Sequence, residues 1–170
     1  MSESLKMLET EEGQNNAVFA CFGSAAQHAQ MFEEALGNFL LAYTHIRPKK
    51  LTAEELEELT QNTHGRTMGQ LLRELKSVVK FNDGDDPKER MEAALYVRNY
   101  LMHRWFLDRN DAFKSEAGRM ALLQELVSFG RLLDSARVTA NAMRIAMCRT
   151  LGIEDVWLSQ GSERRRRLAG

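Results

Sequence analysis

The chain has 170 residues, of which 44% are hydrophobic and 28% charged. This globular mixture excludes a disordered or low-complexity chain, and the length suits one domain with a sizeable core. The net charge of −1, from 23 basic and 24 acidic side chains, excludes a protein that binds nucleic acid through its overall charge, so any such binding needs a local patch.

Residues 1–14 are polar and acidic, without the basic start and apolar run of a signal peptide, and are expected to fray. A first long helix is predicted from about residue 15. Phe22, Ala25, Ala29, Phe32, Leu36, Phe39 and Tyr43 recur at alternating spacings of three and four, the 3.5-residue period of a helix packed along near-aligned neighbours. Pro48 requires the helix to end before Arg47. Thr52 to Glu55 spells a capping box and predicts a short acidic helix to about Gln61. Asn62 to Gly65 breaks it. The next helix is predicted over about 67–80, with Met68, Leu71, Leu72, Leu75, Val78 and Val79 as its apolar side. Asn82 to Pro87 is a turn leading into a helix over about 87–107. After a break at Asp108 to Asp111, a final helix is predicted over about 111–150. Its seam is Leu122, Leu126, Phe129, Leu133, Ala136, Ala140, Met143 and Met147, with the Met-rich end, Met120 included, read as core filling. The tail from about 153, with Arg164 to Arg167, is expected to be flexible and solvated rather than an RNA contact.

These elements predict an all-α fold: an antiparallel up-and-down bundle of four to five helices with a long C-terminal helix, forming one domain over 15–152. No run approaches the roughly 20 apolar residues that span a bilayer, and a cytoplasmic location is expected. Cys21 and Cys148 lie far apart without metal-ligand spacing and read as buried thiols. The final helix is long enough to leave part of its seam uncovered, which predicts a homodimer.

Chemistry concentrates in Tyr96-Val97-Arg98-Asn99-Tyr100-Leu101-Met102-His103-Arg104-Trp105-Phe106. At 100° per residue Asn99 and His103 share a helix face, flanked by Tyr96 and Phe106. Arg98 falls on the apolar stripe of Met91, Ala94, Leu101 and Trp105, where its permanent charge needs a partner or an anion. An arginine can fork onto phosphate oxygens, a histidine can move a proton near neutrality, and an asparagine can orient either the imidazole or a substrate. The bland alternative makes His103 a structural histidine and pairs Arg98 with a glutamate such as Glu33 or Glu34. With 16 arginines and four histidines, an Arg five residues before a His is expected by chance about 0.4 times, and requiring Asn after the Arg lowers that roughly twentyfold.

Other candidates fit helix punctuation or core better. Gly65-Arg-Thr-Met-Gly69 lacks the Lys-Ser/Thr of a phosphate loop. His28, His45 and His64 have no second histidine at ligand spacing, and no Glu-x-x-His pair suggests a di-iron bundle. No metal or cofactor is expected.

Arg98-Asn99-x-x-x-His103 in this helical setting resembles the HEPN superfamily (higher eukaryote and prokaryote nucleotide-binding domains). The resemblance covers the helical layout over about 15–150, and motif residues at 98–103 only. It implies an up-and-down helical bundle whose motif helices pair between two protomers, and a metal-independent endoribonuclease, often a toxin or antiviral effector. By position it makes Arg98 the ligand of the scissile phosphate and His103 the proton-transfer group, with Asn99 in support, leaving a 2′,3′-cyclic phosphate. Members can also be non-catalytic dimerisation or nucleotide-binding modules that regulate a partner. Toxin members controlled by a nucleotidyltransferase antitoxin often carry Tyr two residues after the His. Trp105 stands there and has no hydroxyl to modify, which speaks against that form of control.

Overall fold

The computed structural model describes residues 9–45, 58, 61, 62, 66–80 and 86–150. Five α-helices and one 3₁₀ turn make up the described elements: α1 (Glu11–His45), α2 (Met68–Val78), α3 (Asp86–His103), α4 (Trp105–Arg109), the 3₁₀ turn (Asn110–Lys114) and α5 (Glu116–Thr150). The fold is an all-α helical bundle with a long C-terminal helix, and no strand occurs among the described residues. No described helix is long and apolar enough to cross a membrane. Most of the acidic helix expected over 52–61, and the whole basic tail, lie outside the described residues.

The chain groups into two compact units. Of the described residues, one unit holds 9–32 and 86–137, and the other holds 33–45, 58, 61, 62, 66–80 and 138–150. The first unit's core is Val18, Ala25, Ala29, Phe32, Met91, Ala94, Val97, Leu101, Trp105, Leu122, Leu126, Leu133 and Ala136. Within it α1 and α5 run in the same direction, since Gln14 meets Arg119 while His28 meets Gly130. Helix α3 is antiparallel to α5, with Tyr100 against Phe129 and Trp105 against Glu125. The second unit's core includes Leu36, Phe39, Leu40, Met68, Leu71, Leu72, Leu75, Ala140 and Cys148.

Local signals explain the helix ends. Thr67 caps α2: its side chain accepts the Gln70 N–H, and the Gln70 side chain accepts the Thr67 N–H at 2.8 Å. Arg66 and Glu74 form an ion pair on the same helix. Acidic Asp86 and Glu89 sit in the first turn of α3, where the helix dipole favours them, and Asp86 also pairs with Arg90. Helix α1 starts at Glu11, one turn before the expected residue 15, and Gly13 N–H is held by the Thr10 hydroxyl at 3.1 Å.

Three expectations change. The motif helix ends at His103 rather than 107. Arg104 leaves the α region (φ −133°, ψ −27°), although its N–H still reaches the Tyr100 carbonyl at 2.9 Å. The chain restarts as α4 in a new direction that buries Trp105 completely. The last helix begins at Glu116 rather than 111, because residues 110–114 coil more tightly into the 3₁₀ turn. The seam of α5 is buried at Leu122, Leu126, Leu133, Ala136 and Ala140, and only half-buried at Phe129, Met143 and Met147. The exposed large apolar side chains of α5 are Met120, Val127 and Val138, all off that seam, so Met120 is not core filling.

The junction between the 3₁₀ turn and α5 is tight. A Cβ on Gly118 would overlap the Ala112 carbonyl oxygen and lie 2.8 Å from its carbon. Beside it, Arg119 is buried at 6% exposure. Its guanidinium donates to Gln14 Oε1 at 2.8 Å and to the Phe113 carbonyl at 2.7 Å, with Glu11 at 3.6 Å. One buried cation thus joins the starts of α1 and α5 to the turn, and its donors are met largely by neutral acceptors.

Candidate functional site

Helix α3 buries Met91, Ala94, Val97 and Leu101. Val97, not Arg98, therefore fills the slot on the apolar stripe, and Arg98 lies one residue further round the helix, half-exposed. Its Nη1 donates to Asn99 Oδ1 at 3.2 Å. Asn99 and His103 are exposed on the outward face, as their spacing predicts. His103 makes no hydrogen bond or ion pair among the described residues. Its imidazole is free to meet a ligand or a second protein chain.

The five-residue spacing places Arg98 and His103 about 140° apart around the helix axis. Arg98 and Asn99 are brought together, whereas His103 stands apart from Arg98. Tyr96 shares the outward face and is 72% exposed. Phe106 lies beyond the break at Arg104 and turns to a different group: its ring is 4.6 Å from Phe22, 6.0 Å from Phe19 and 6.4 Å from Phe113.

Behind the motif stands a polar cluster that periodicity did not reveal. Arg109 forks onto Glu125, Nε to Oε2 at 3.0 Å and Nη2 to Oε1 at 2.7 Å, while Trp105 Nε1 donates to the same Oε2 at 2.9 Å. The Arg109 fork, helped by the indole, holds the Glu125 carboxyl below the usual carboxylate range, against the opposing effect of burial. The same hydrogen bonds keep the Arg109 guanidinium firmly charged. Arg109 also lies 5.7 Å above the Tyr100 ring. Burial pushes the Tyr100 hydroxyl up, and Arg109 partly offsets that. The sequence signal for this cluster was weak: an arginine four residues after a tryptophan, and a glutamate inside the apolar pattern of the last helix.

A separate open cavity of about 260 Å³ is lined by residues that include Cys21, Ser24, His28, Val127, Arg131 and Asp134. It contains none of the motif residues. Cys21 is half-exposed here, against the expectation of a buried thiol, while Cys148 is buried as expected. The buried His28 Nδ1 has no hydrogen-bond partner and faces Gly130, where an added Cβ would come within 3.3 Å.

No family model, curated protein or solved structure matches the chain.

Proposed function

We propose that the chain is a HEPN-like helical-bundle protein. In this reading it is a metal-independent endoribonuclease of the cytoplasm, working as a homodimer. The observation that carries the reading is the outward polar group on an otherwise apolar helix, in which His103 is exposed and has no partner among the described residues. Folding alone gives no reason for an unpartnered imidazole beside Arg98 and Asn99. The chemistry those groups offer is phosphoryl transfer. One imidazole takes the 2′-hydroxyl proton, the 2′-oxygen attacks phosphorus, and the 5′-oxygen leaves with a proton from a second acid. The products are a 2′,3′-cyclic phosphate and a 5′-hydroxyl. Arg98 holds the phosphate oxygens as charge builds. Because Arg98 and His103 diverge on one helix, the reading needs a second copy to supply the complementary group.

The test is incubation of the folded protein with single-stranded RNA in EDTA, beside His103→Ala. Cleavage to cyclic-phosphate ends that is lost in the variant is expected. Intact RNA, or equal cutting by both proteins, overturns the reading. A second reading, a non-catalytic dimerisation or binding module, is favoured by the divergence of Arg98 from His103. It predicts that Arg98→Ala lowers the melting temperature or weakens self-association without any effect on RNA.

A further inference from the structure

We infer that the open face of Tyr96 is a stacking platform for a nucleobase of single-stranded RNA next to the phosphate handled at His103. This rests on the RNA-cleaving reading and adds the group that grips the flanking nucleotide.

Tyr96, Asn99 and His103 follow at spacings of three and four, so they form one outward stripe. Tyr96 lies seven residues from His103, about 10 Å along the helix axis. Its ring is 72% exposed, which is unusual for a side chain that a helix surface gains nothing by displaying. Yet it is backed by ordered rings. Tyr96 lies parallel to Tyr100, at 6.4 Å between centroids and 5° between planes. Tyr100 meets Phe129 edge-on at 6.2 Å and 89°. Arg109, clamped by Glu125, covers Tyr100 at 5.7 Å. A tier of three rings therefore runs outward from α5, its inner members fixed and its outermost face open to solvent. A ring supported in this way loses little freedom when a second flat ring stacks on it.

The surroundings favour a base over an apolar peptide. The stripe beyond Tyr96 is polar, so the apolar contact on offer is about one ring wide. Arg98 lies two residues away to meet a backbone phosphate, and Glu92, one turn earlier, is half-buried and already engaged in an interaction of its own. An aromatic face beside a cation is the arrangement that grips single strands with little sequence preference.

The experiment measures binding of a fluorescently labelled, mixed-sequence single-stranded RNA by anisotropy, in the full chain carrying His103→Ala to prevent cleavage. Tyr96→Ala, Tyr96→Phe and Tyr96→Trp are added to it. Tyr96→Ala is expected to weaken binding about tenfold, while Phe and Trp stay within about twofold, because every flat ring can stack. On an abasic strand of the same length the difference between the parent and the Tyr96→Ala chain disappears. Equal binding by Tyr96→Ala on normal RNA overturns the platform, and so does a loss that persists on the abasic strand. Either result leaves the nuclease reading standing if His103-dependent cleavage is seen in the otherwise wild-type chain. Failure of the parent to bind RNA overturns the platform, while cleavage by the wild-type chain separately decides the nuclease reading. Melting curves of the three variants check the fold, and a Tyr96→Ala chain that melts early while the Phe and Trp variants bind weakly also overturns it.

Discussion

The indole N–H of Trp105 and the guanidinium of Arg109 share one carboxylate oxygen, Glu125 Oε2, at 2.9 and 3.0 Å. That oxygen fixes the direction in which the chain resumes after the motif helix. Glu125→Ala removes the acceptor for both donors and is expected to cost about 2 kcal/mol, read as a lower midpoint in urea unfolding. Glu125→Gln keeps one acceptor for the indole and is expected to cost less. Equal stability of the alanine variant and wild type would show that the cluster contributes nothing.

The same carboxylate makes stability depend on acid. Its folded-state value is depressed, chiefly by the Arg109 hydrogen bonds. Its contribution is therefore complete above the unfolded carboxylate range and is lost as pH falls through the lower, folded value. Arg109 is partly exposed, so solvent screening keeps the effect modest. The melting temperature of Glu125→Gln is expected to fall less steeply than wild type between about pH 4 and pH 2. Parallel curves for the two proteins would refute the assignment.

Arg119 is buried with Gln14 and the Phe113 carbonyl as its close acceptors. Arg119→Ala leaves those acceptors unpaired and opens a void, for an expected loss of about 3 kcal/mol. Arg119→Lys cannot reproduce both bonds and should recover only part of that loss. Thermal melting of the pair measures it; full rescue by lysine would mean that charge alone, rather than the fork, matters there.

Gly130 allows a double-mutant test. In α5, Gly130→Ala should gain up to about 1 kcal/mol of helix propensity, but the new Cβ meets His28 Nδ1 at 3.3 Å. The gain should therefore emerge more fully in a His28→Ala background than in wild type. Identical effects in both backgrounds would exclude the contact.

If two copies complete the site, each cleft takes Arg98 from one chain and His103 from the other. Arg98→Ala and His103→Ala proteins, each inactive alone, should then regain about a quarter of wild-type cleavage when mixed and allowed to exchange. A mixture with no activity, under conditions in which subunits do exchange, would place both groups in the same chain's contribution.

The long helices were legible because a 3.5-residue apolar repeat survives most substitutions. Ala25, Ala29, Phe32, Leu36 and Phe39, and Leu122, Leu126, Leu133, Ala136 and Ala140, are buried as the repeat requires. The outward placement of Asn99 and His103 was legible for the same reason. Arg98 was misplaced by one residue because Val97 and Arg98 are both near the stripe, and only packing selects the valine. The break at Arg104 carries no proline or glycine. It is enforced from a distance, by a pocket for Trp105 and an acceptor 20 residues away in Glu125. The link from Arg119 to Gln14 spans 105 residues, beyond the reach of any periodic pattern.

The close approach of Gly118 to Ala112 also governs where the chain can be engineered. With no room for even one methyl group, the 110–118 connector has a fixed length and path. An inserted tag, a fluorophore-bearing side chain or a circular-permutation cut placed there would have to displace both the buried arginine and the aromatic ring of Phe113. Such probes belong instead on the outward residues of α3, where a label would report on the motif without disturbing its support.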